Sequence, residues 1–287
     1  MAKNNANPQT NQDIYKKIEY LEENGLFNID PADDPETIPL QPNKVDYLNK
    51  KLSSKISTKI ANKVALNFIN NLIKDKKMII KDIIGMENIN SIDTGFVMTC
   101  NHFNPFDNFA LHKVIEQSKH HKNKKFYKVI REGNYTNFGG IYGYFFKHCD
   151  TLPLSSIKRT MINFMHAINE ILTRGDIVLV YPEQSLWLNY KKPKPLNNGA
   201  FVFAINNNVP VLPCFITFED SDILQEDGEY VQEYTINILP PIYPKKDISK
   251  KENVEYMKNL NYELWKNVYE QTYNTKLVYT TKTDIKI

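Results

Sequence analysis

The sequence predicts an α/β fold: a central mixed, largely parallel sheet with helices on both faces, preceded by an N-terminal amphipathic helical segment. Three observations carry that expectation. Two short apolar runs, residues 96–100 and 176–181, read as fully buried strands, and each leads into a polar turn. Segments with helical spacing of apolar residues alternate with these and other strand-like runs. A lysine-rich segment with apolar residues every fourth position stands before the first of them.

Taken in order, residues 1–43 form an acidic, polar extension that is expected to be partly flexible. They hold three lysines against eight acidic residues. Residues 44–82 reverse the balance, with ten lysines against three acids. Here Leu48, Leu52, Ile56, Ile60, Val64, Phe68 and Leu72 recur every four residues, and Lys51, Lys55, Lys59 and Lys63 stand one position earlier. That pattern predicts an amphipathic helix with a lysine flank. Residues 83–287 are expected to form the main domain. After the strand at 96–100, residues 104–119 form a helix with Asn104 as N-cap, Pro105 at its first position and Asp107 at its third. Residues 120–125 form a basic loop; His120 and His121 lie there without a carboxylate or cysteine at ligand spacing, so no metal site is expected. A strand follows at 126–130, then a glycine-rich turn at 139–143 leading into a short helix. Residues 156–173 are helical and closed by Gly175. The strand at 176–181 is followed by a helix at 201–206, strands at 211–218 and 234–239, and a final aromatic-rich helix at 254–273.

Composition bounds the function. A net charge of +3 on 287 residues gives no footprint for nucleic acid. The first dozen residues carry no apolar leader core, and no run of about 18 apolar residues exists for a spanning helix. Cys100, Cys149 and Cys214 are odd in number and far apart, so no disulfide framework is expected. Cytoplasmic residence is the expectation. The chain has neither a Walker sequence nor a GxGxxG fingerprint.

The chemistry concentrates at residues 101–107, Asn-His-Phe-Asn-Pro-Phe-Asp. His102 and Asp107 stand five residues apart at the mouth of a buried strand. An imidazole held by a carboxylate is a base at neutral pH. It has no nucleophile of its own, which suits a reaction in which the substrate supplies the hydroxyl. The same residues read as structure are a helix cap and a loop histidine.

In sum these boxes resemble the glycerolipid acyltransferase family, the lysophosphatidate acyltransferase-like group with an Asn-His-x4-Asp box. Gly85-Met86-Glu87-Asn88 resembles its lead-in. Asn101, His102 and Asp107 match the first box. Tyr181-Pro182-Glu183 matches the start of the Pro-Glu-Gly box, and Val209-Pro210-Val211-Leu212-Pro213 matches the last. The resemblance spans roughly residues 80–220. It departs at Leu186, where the family carries an arginine associated with the acceptor's phosphate, and at 143–150, where the expected arginine is missing. Lys191, Lys192 and Lys194 follow and are expected to supply the charge.

What the resemblance implies is an O-acyltransferase. His102 would deprotonate an acceptor hydroxyl and Asp107 would orient the ring. The donor would be a thioester, acyl-CoA or acyl-ACP, as co-substrate, with no bound cofactor. The acceptor would be a lysolipid, foremost 1-acylglycerol-3-phosphate, or another lipid hydroxyl. Glu183, Gln184, Ser185, Lys191 and Lys192 would bind the acceptor. Asn101, Asn104 and Pro182 would shape the site, and the helix start at 104–107 would offer N–H groups to developing negative charge. Residues 48–73 would dock an anionic membrane at its inner, cytoplasmic face. The rivals are a Ser-dependent lipid hydrolase using Ser185 and a membrane-binding protein without catalysis.

Overall fold

The computed structural model describes residues 9–225 and 228–281. Its elements in chain order are α1 (Asn11–Glu23), α2 (Leu52–Lys74), β1 (Ile79–Ile84), α3 (Met86–Asn90), β2 (Phe96–Thr99), α4 (Asp107–Gln117), β3 (Phe126–Ile130) and α5 (Glu132–Thr136). They continue with α6 (Gly140–His148), β4 (Thr151–Pro153), α7 (Lys158–Thr173), β5 (Ile177–Val180), α8 (Gly199–Asn207), β6 (Val211–Leu224), β7 (Tyr230–Ile238) and α9 (Lys250–Tyr273). The strands make one seven-stranded sheet ordered β1-β7-β6-β2-β5-β3-β4. Every pairing is parallel except the β6–β7 hairpin.

The central strands are buried on both faces, and their side chains alternate between two cores. Phe96, Met98, Ile177 and Leu179 join Ala110, Leu111 and Val114 of α4 on one face. Val97, Val178 and Val180 join Phe164 and Ile168 of α7, Phe201 of α8 and Met257 of α9 on the other. Cys100 and Cys214 are buried free thiols in the first core, and burial raises the pKa of both.

Gly85 shows why the lead-in box has its composition. It takes φ +86°, and a Cβ there would lie 2.0 Å from the Ile238 carbonyl oxygen. Asn88 Nδ2 donates to that same oxygen at 2.8 Å. The box therefore clamps the start of α3 onto the end of β7.

Several boundaries differ from expectation. α4 begins at Asp107, three residues after the expected cap, because Asn104 Oδ1 closes a local turn on the Phe106 N–H instead. The segment 44–82 is not all helix: it ends in β1, which pairs with β7 as an edge strand. Residues 1–8 lie outside the described residues. The remainder of the acidic extension carries α1, opened by a capping box between Thr10 and Asp13. Ile18, Leu21 and Phe27 then pack on Trp187. That burial anchors the extension to the sheet's carboxyl end.

α2 shows a geometric consequence of fourfold spacing. Four residues advance the helix by about 400°, so a stripe at that spacing winds around the axis by about 40° per step. Leu52, Ile56, Ile60 and Val64 consequently face outward, with Leu52 74% exposed. Farther along, Phe68 and Leu72 have rotated onto the domain, Phe68 against Phe106 and Phe109 and Leu72 into the first core. The inward face is completed by Thr58, Ala61 and Ile69. None of the described helices is long and apolar enough to cross a membrane.

Candidate active site

The site lies at the carboxyl ends of the adjacent parallel strands β2 and β5, the usual location of ligand chemistry in an open α/β sheet. β2 delivers Asn101 and His102. Asn101 extends the ladder beyond the strand: its amide donates to the Ile216 carbonyl at 3.0 Å and accepts the Ile216 N–H at 2.8 Å. That pins the base of the loop to β6.

His102 Nδ1 lies 2.8 Å from Asp107 Oδ2. A carboxylate oxygen accepts, so the proton sits on Nδ1 and Nε2 is the basic nitrogen. Asp107 is fully buried, yet its charge is well met. Oδ2 also accepts the N–H groups of Phe103 at 3.1 Å and Asn104 at 3.3 Å. Oδ1 accepts the Tyr181 hydroxyl at 2.5 Å. The Tyr181 ring stacks on the imidazole at 3.9 Å between centroids and 17° between planes. Burial and the neighbouring Asp107 charge raise the phenol's pKa well above its ordinary value, so it stays a donor. Tyr181 is thus the third member of the constellation, and its role was not anticipated. A signal existed: two residues beyond Leu179, it falls on the same face of β5.

The turn after β5 is directed inward. Glu183 is 2% exposed and accepts the His102 N–H at 3.0 Å and the Lys194 N–H at 2.9 Å. The Lys194 ammonium pairs with Glu183 Oε2 at 3.0 Å, donates to the Ser185 carbonyl at 3.0 Å and the His102 carbonyl at 3.4 Å, and lies over the Trp187 ring. Burial lowers the Lys194 pKa, and the Glu183 charge opposes that shift. Gln184 occupies the left-handed region at φ +64°. Pro182 is buried and its carbonyl accepts from Asn197.

Several expectations therefore change. Glu183 and Ser185 do not face an acceptor: Glu183 is spent on the His102 main chain, and the Ser185 hydroxyl donates to the Phe27 carbonyl at 2.6 Å. Lys192 is paired with buried Glu22 at 2.7 Å. Lys191 is exposed, over the rings of Phe218 and Tyr273, with no ion pair among the described residues. The N–H groups of Phe103, Asn104, Phe106 and Asp107 are all engaged within the loop, so they are not offered to a substrate oxygen. His121, expected in a basic loop, is instead a core residue whose Nε2 bonds the Ile92 carbonyl at 2.8 Å.

The acidic extension reaches this turn. Phe27 and Ile29 offer carbonyls to Ser185 and Trp187, and Asp30 accepts the Leu186 N–H. Asp30 and Asp34 also pair with Arg131. The opposite charges of the extension and the domain are matched here.

Beside the loop of residues 101–107, under α2, a cavity of about 900 Å³ begins at Pro105 and Phe106. It follows α4 past Phe109 to Ile115, walled by Phe126, Phe138, Phe145 and Phe146. Eleven residues of α4 give it a length of about 16 Å.

Residues 81–217 match the family model described as Acyltransferase. No curated protein matches the chain in sequence. Among solved structures, the 1-acyl-sn-glycerophosphate (LPA) acyltransferase PlsC from Thermotoga maritima is similar in fold, with a TM-score of 0.51 at 18% identity over 77% of this chain and 84% of that one. Residues 81–217, which match that acyltransferase model, hold His102, Asp107, Tyr181 and Glu183.

Proposed function

We propose that the protein transfers a fatty acyl group from a thioester donor to the hydroxyl of a lysolipid at a membrane surface. The observation that carries this is the His102–Asp107 pair at 2.8 Å beside a largely apolar cavity. His102 Nε2 takes the acceptor's hydroxyl proton. The acceptor oxygen attacks the thioester carbonyl, the C–S bond breaks, and the leaving thiolate takes a proton from the imidazolium. Asp107, held by four donors, keeps the ring in the reactive tautomer and stabilises the imidazolium. The acyl chain lies in the cavity along α4.

The Ser-hydrolase reading loses its nucleophile, since Ser185 is 1% exposed and bonded to Phe27. For the acceptor's charge, Lys191 is a cation near the site that has no ion pair among the described residues. It flanks Phe218, which stacks on Phe103 next to His102. On this reading a lysophosphatidate-type acceptor is held by one point charge where an arginine would make a bidentate contact. The exposed Leu52–Val64 stripe of α2 and its exposed lysines form the membrane-facing surface.

The test is incubation with acyl-CoA or acyl-ACP and a set of lysolipids, read by mass spectrometry. Ester product on lysophosphatidate, lost in part in Lys191→Gln, supports the reading. Free fatty acid released from phospholipid, with no ester formed, contradicts it.

A further inference from the structure

The cavity that the proposed function assigns to the acyl chain is not uniformly apolar. β3 alternates, so Phe126, Lys128 and Ile130 face the cavity while Tyr127 and Val129 face the opposite core. Lys128 thus stands between two apolar residues on a wall that should exclude charge. It is 7% exposed, and its ammonium makes one hydrogen bond, to the Phe126 carbonyl at 2.9 Å. A lysine ammonium has three donors, so two lack an acceptor among the described residues. The nearest carboxylate, Asp150, is already taken by the amides of Asn62 at 2.6 Å and Asn49 at 3.3 Å. One turn before Asn62 on α2, Thr58 also lines the cavity. It is 6% exposed, and its Oγ1 has no hydrogen-bond partner among the described residues.

Thr58, Asn62, Lys128 and Asp150 thus form a polar pole; of the lysines that line the cavity, Lys55, Lys59, Lys122, Lys124 and Lys125 are exposed and Lys128 is buried. Burial lowers the lysine's pKa, opposed by the Asp150 charge. A hydrocarbon chain lying across this pole would strip the Lys128 donors of water and leave the Thr58 hydroxyl unpaired, which disfavours such a chain. A chain carrying an oxygen at that depth would give the Lys128 donors an acceptor. A neutral oxygen suits the pole better than an anion, because the Asp150 carboxylate stands beside the lysine.

We propose that this cavity selects acyl chains bearing a hydroxyl within the chain, with Lys128 donating to that oxygen and Thr58 accepting from or donating to it. The proposal rests on the cavity's being the acyl-chain site. It explains why a lysine and a threonine occupy wall positions where leucine or valine would pack without loss.

The experiment compares palmitoyl donors with and without a mid-chain hydroxyl, using several positional isomers, in the full chain and in Lys128→Met and Thr58→Val. The wild type should prefer one hydroxylated isomer by about tenfold or more in kcat/KM, the scale of a hydrogen bond to a charged group. Lys128→Met should abolish or invert that preference. Thr58→Val, a nearly isosteric change, should reduce it. In parallel, calorimetry of the free hydroxylated and plain acids reads cavity binding without catalysis. If no donor yields ester but calorimetry shows the same preference and its loss in Lys128→Met, the acyl-transfer reading fails and the selectivity stands. If the plain chain is bound and transferred as well as every hydroxylated isomer, or the ratio is unchanged in both variants, the proposal is overturned.

Discussion

Glu183, buried after β5, accepts the main-chain N–H of His102 at 3.0 Å. The Tyr181-Pro182-Glu183 box thus acts on the Asn101–Asp107 box through the backbone, and its carboxylate is neutralised from behind by Lys194. A buried ion pair is a weak source of net stability, but breaking one partner is costly. Lys194→Met should therefore destabilise the fold by about 3–5 kcal/mol by leaving Glu183 charged and unpaired. The double variant Glu183→Gln/Lys194→Met should recover much of that loss. Denaturant unfolding of the three proteins checks both statements, and an additive double variant would show that the two side chains do not act as a pair.

Gln184 holds a left-handed φ of +64° where a glycine would sit without strain. Gln184→Gly should leave stability unchanged or raise it by up to about 1 kcal/mol, since removal of the Cβ strain outweighs or cancels the added chain entropy. A loss of more than about 1 kcal/mol would show that the glutamine side chain makes a contact worth more than the strain.

His112 faces the cavity from α4, and burial holds its pKa well below 6.5, with the nearby Lys128 and Lys113 charges adding to the shift. The sign follows. Below pH 6.5 the unfolded chain takes up a proton that the folded one refuses, so stability falls as pH falls, by at most about 1.4 kcal/mol per pH unit from this group. His112→Leu should flatten stability between pH 6.5 and 5. An identical pH slope in wild type and variant would assign the acid sensitivity to other groups.

The outward face of α2 makes a surface prediction. Replacing Lys51, Lys55, Lys59 and Lys63 by Gln should weaken binding to anionic vesicles by about 1 kcal/mol per lysine near the surface, and salt should screen the effect. Replacing Leu52 and Ile56 by Asp should abolish binding with little change in melting temperature, because both are more than half exposed. Unchanged sedimentation with vesicles in both sets would remove α2 from the membrane account.

Much of this arrangement was legible in the sequence because it depends on local patterns. The alternation of apolar runs and helical periods marks the α/β sheet, and the β2 and β5 runs are buried strands as their composition requires. His102 and Asp107 sit five residues apart and close their hydrogen bond within one turn. What the sequence hid depends on distant chain. Lys194 reaches Glu183 across eleven residues of loop, and the Ser185 hydroxyl goes to Phe27, 158 residues away. Polar residues in a turn look alike whether they face solvent or a neighbouring segment, so these were read as acceptor-facing. The acidic excess of residues 1–43 is visible in the sequence, but not that Glu22, Asp30 and Asp34 within it pair with Lys192 and Arg131 of the same chain. The winding of the α2 stripe follows from helix geometry, but which arc of it turns inward is fixed by Phe106 and Phe109, outside the helix.

The central claim is that His102 is the base for transfer of an acyl group from a thioester to a lipid hydroxyl. The most direct measurement is the initial rate of ester formation from a thioester donor and lysophosphatidate by wild type and His102→Ala, with matched melting temperatures as the control for folding. The account predicts ester formation by the wild type and a loss of at least about 100-fold in the variant, the lower range for removing a general base. A variant that keeps more than about a tenth of the wild-type rate would contradict it.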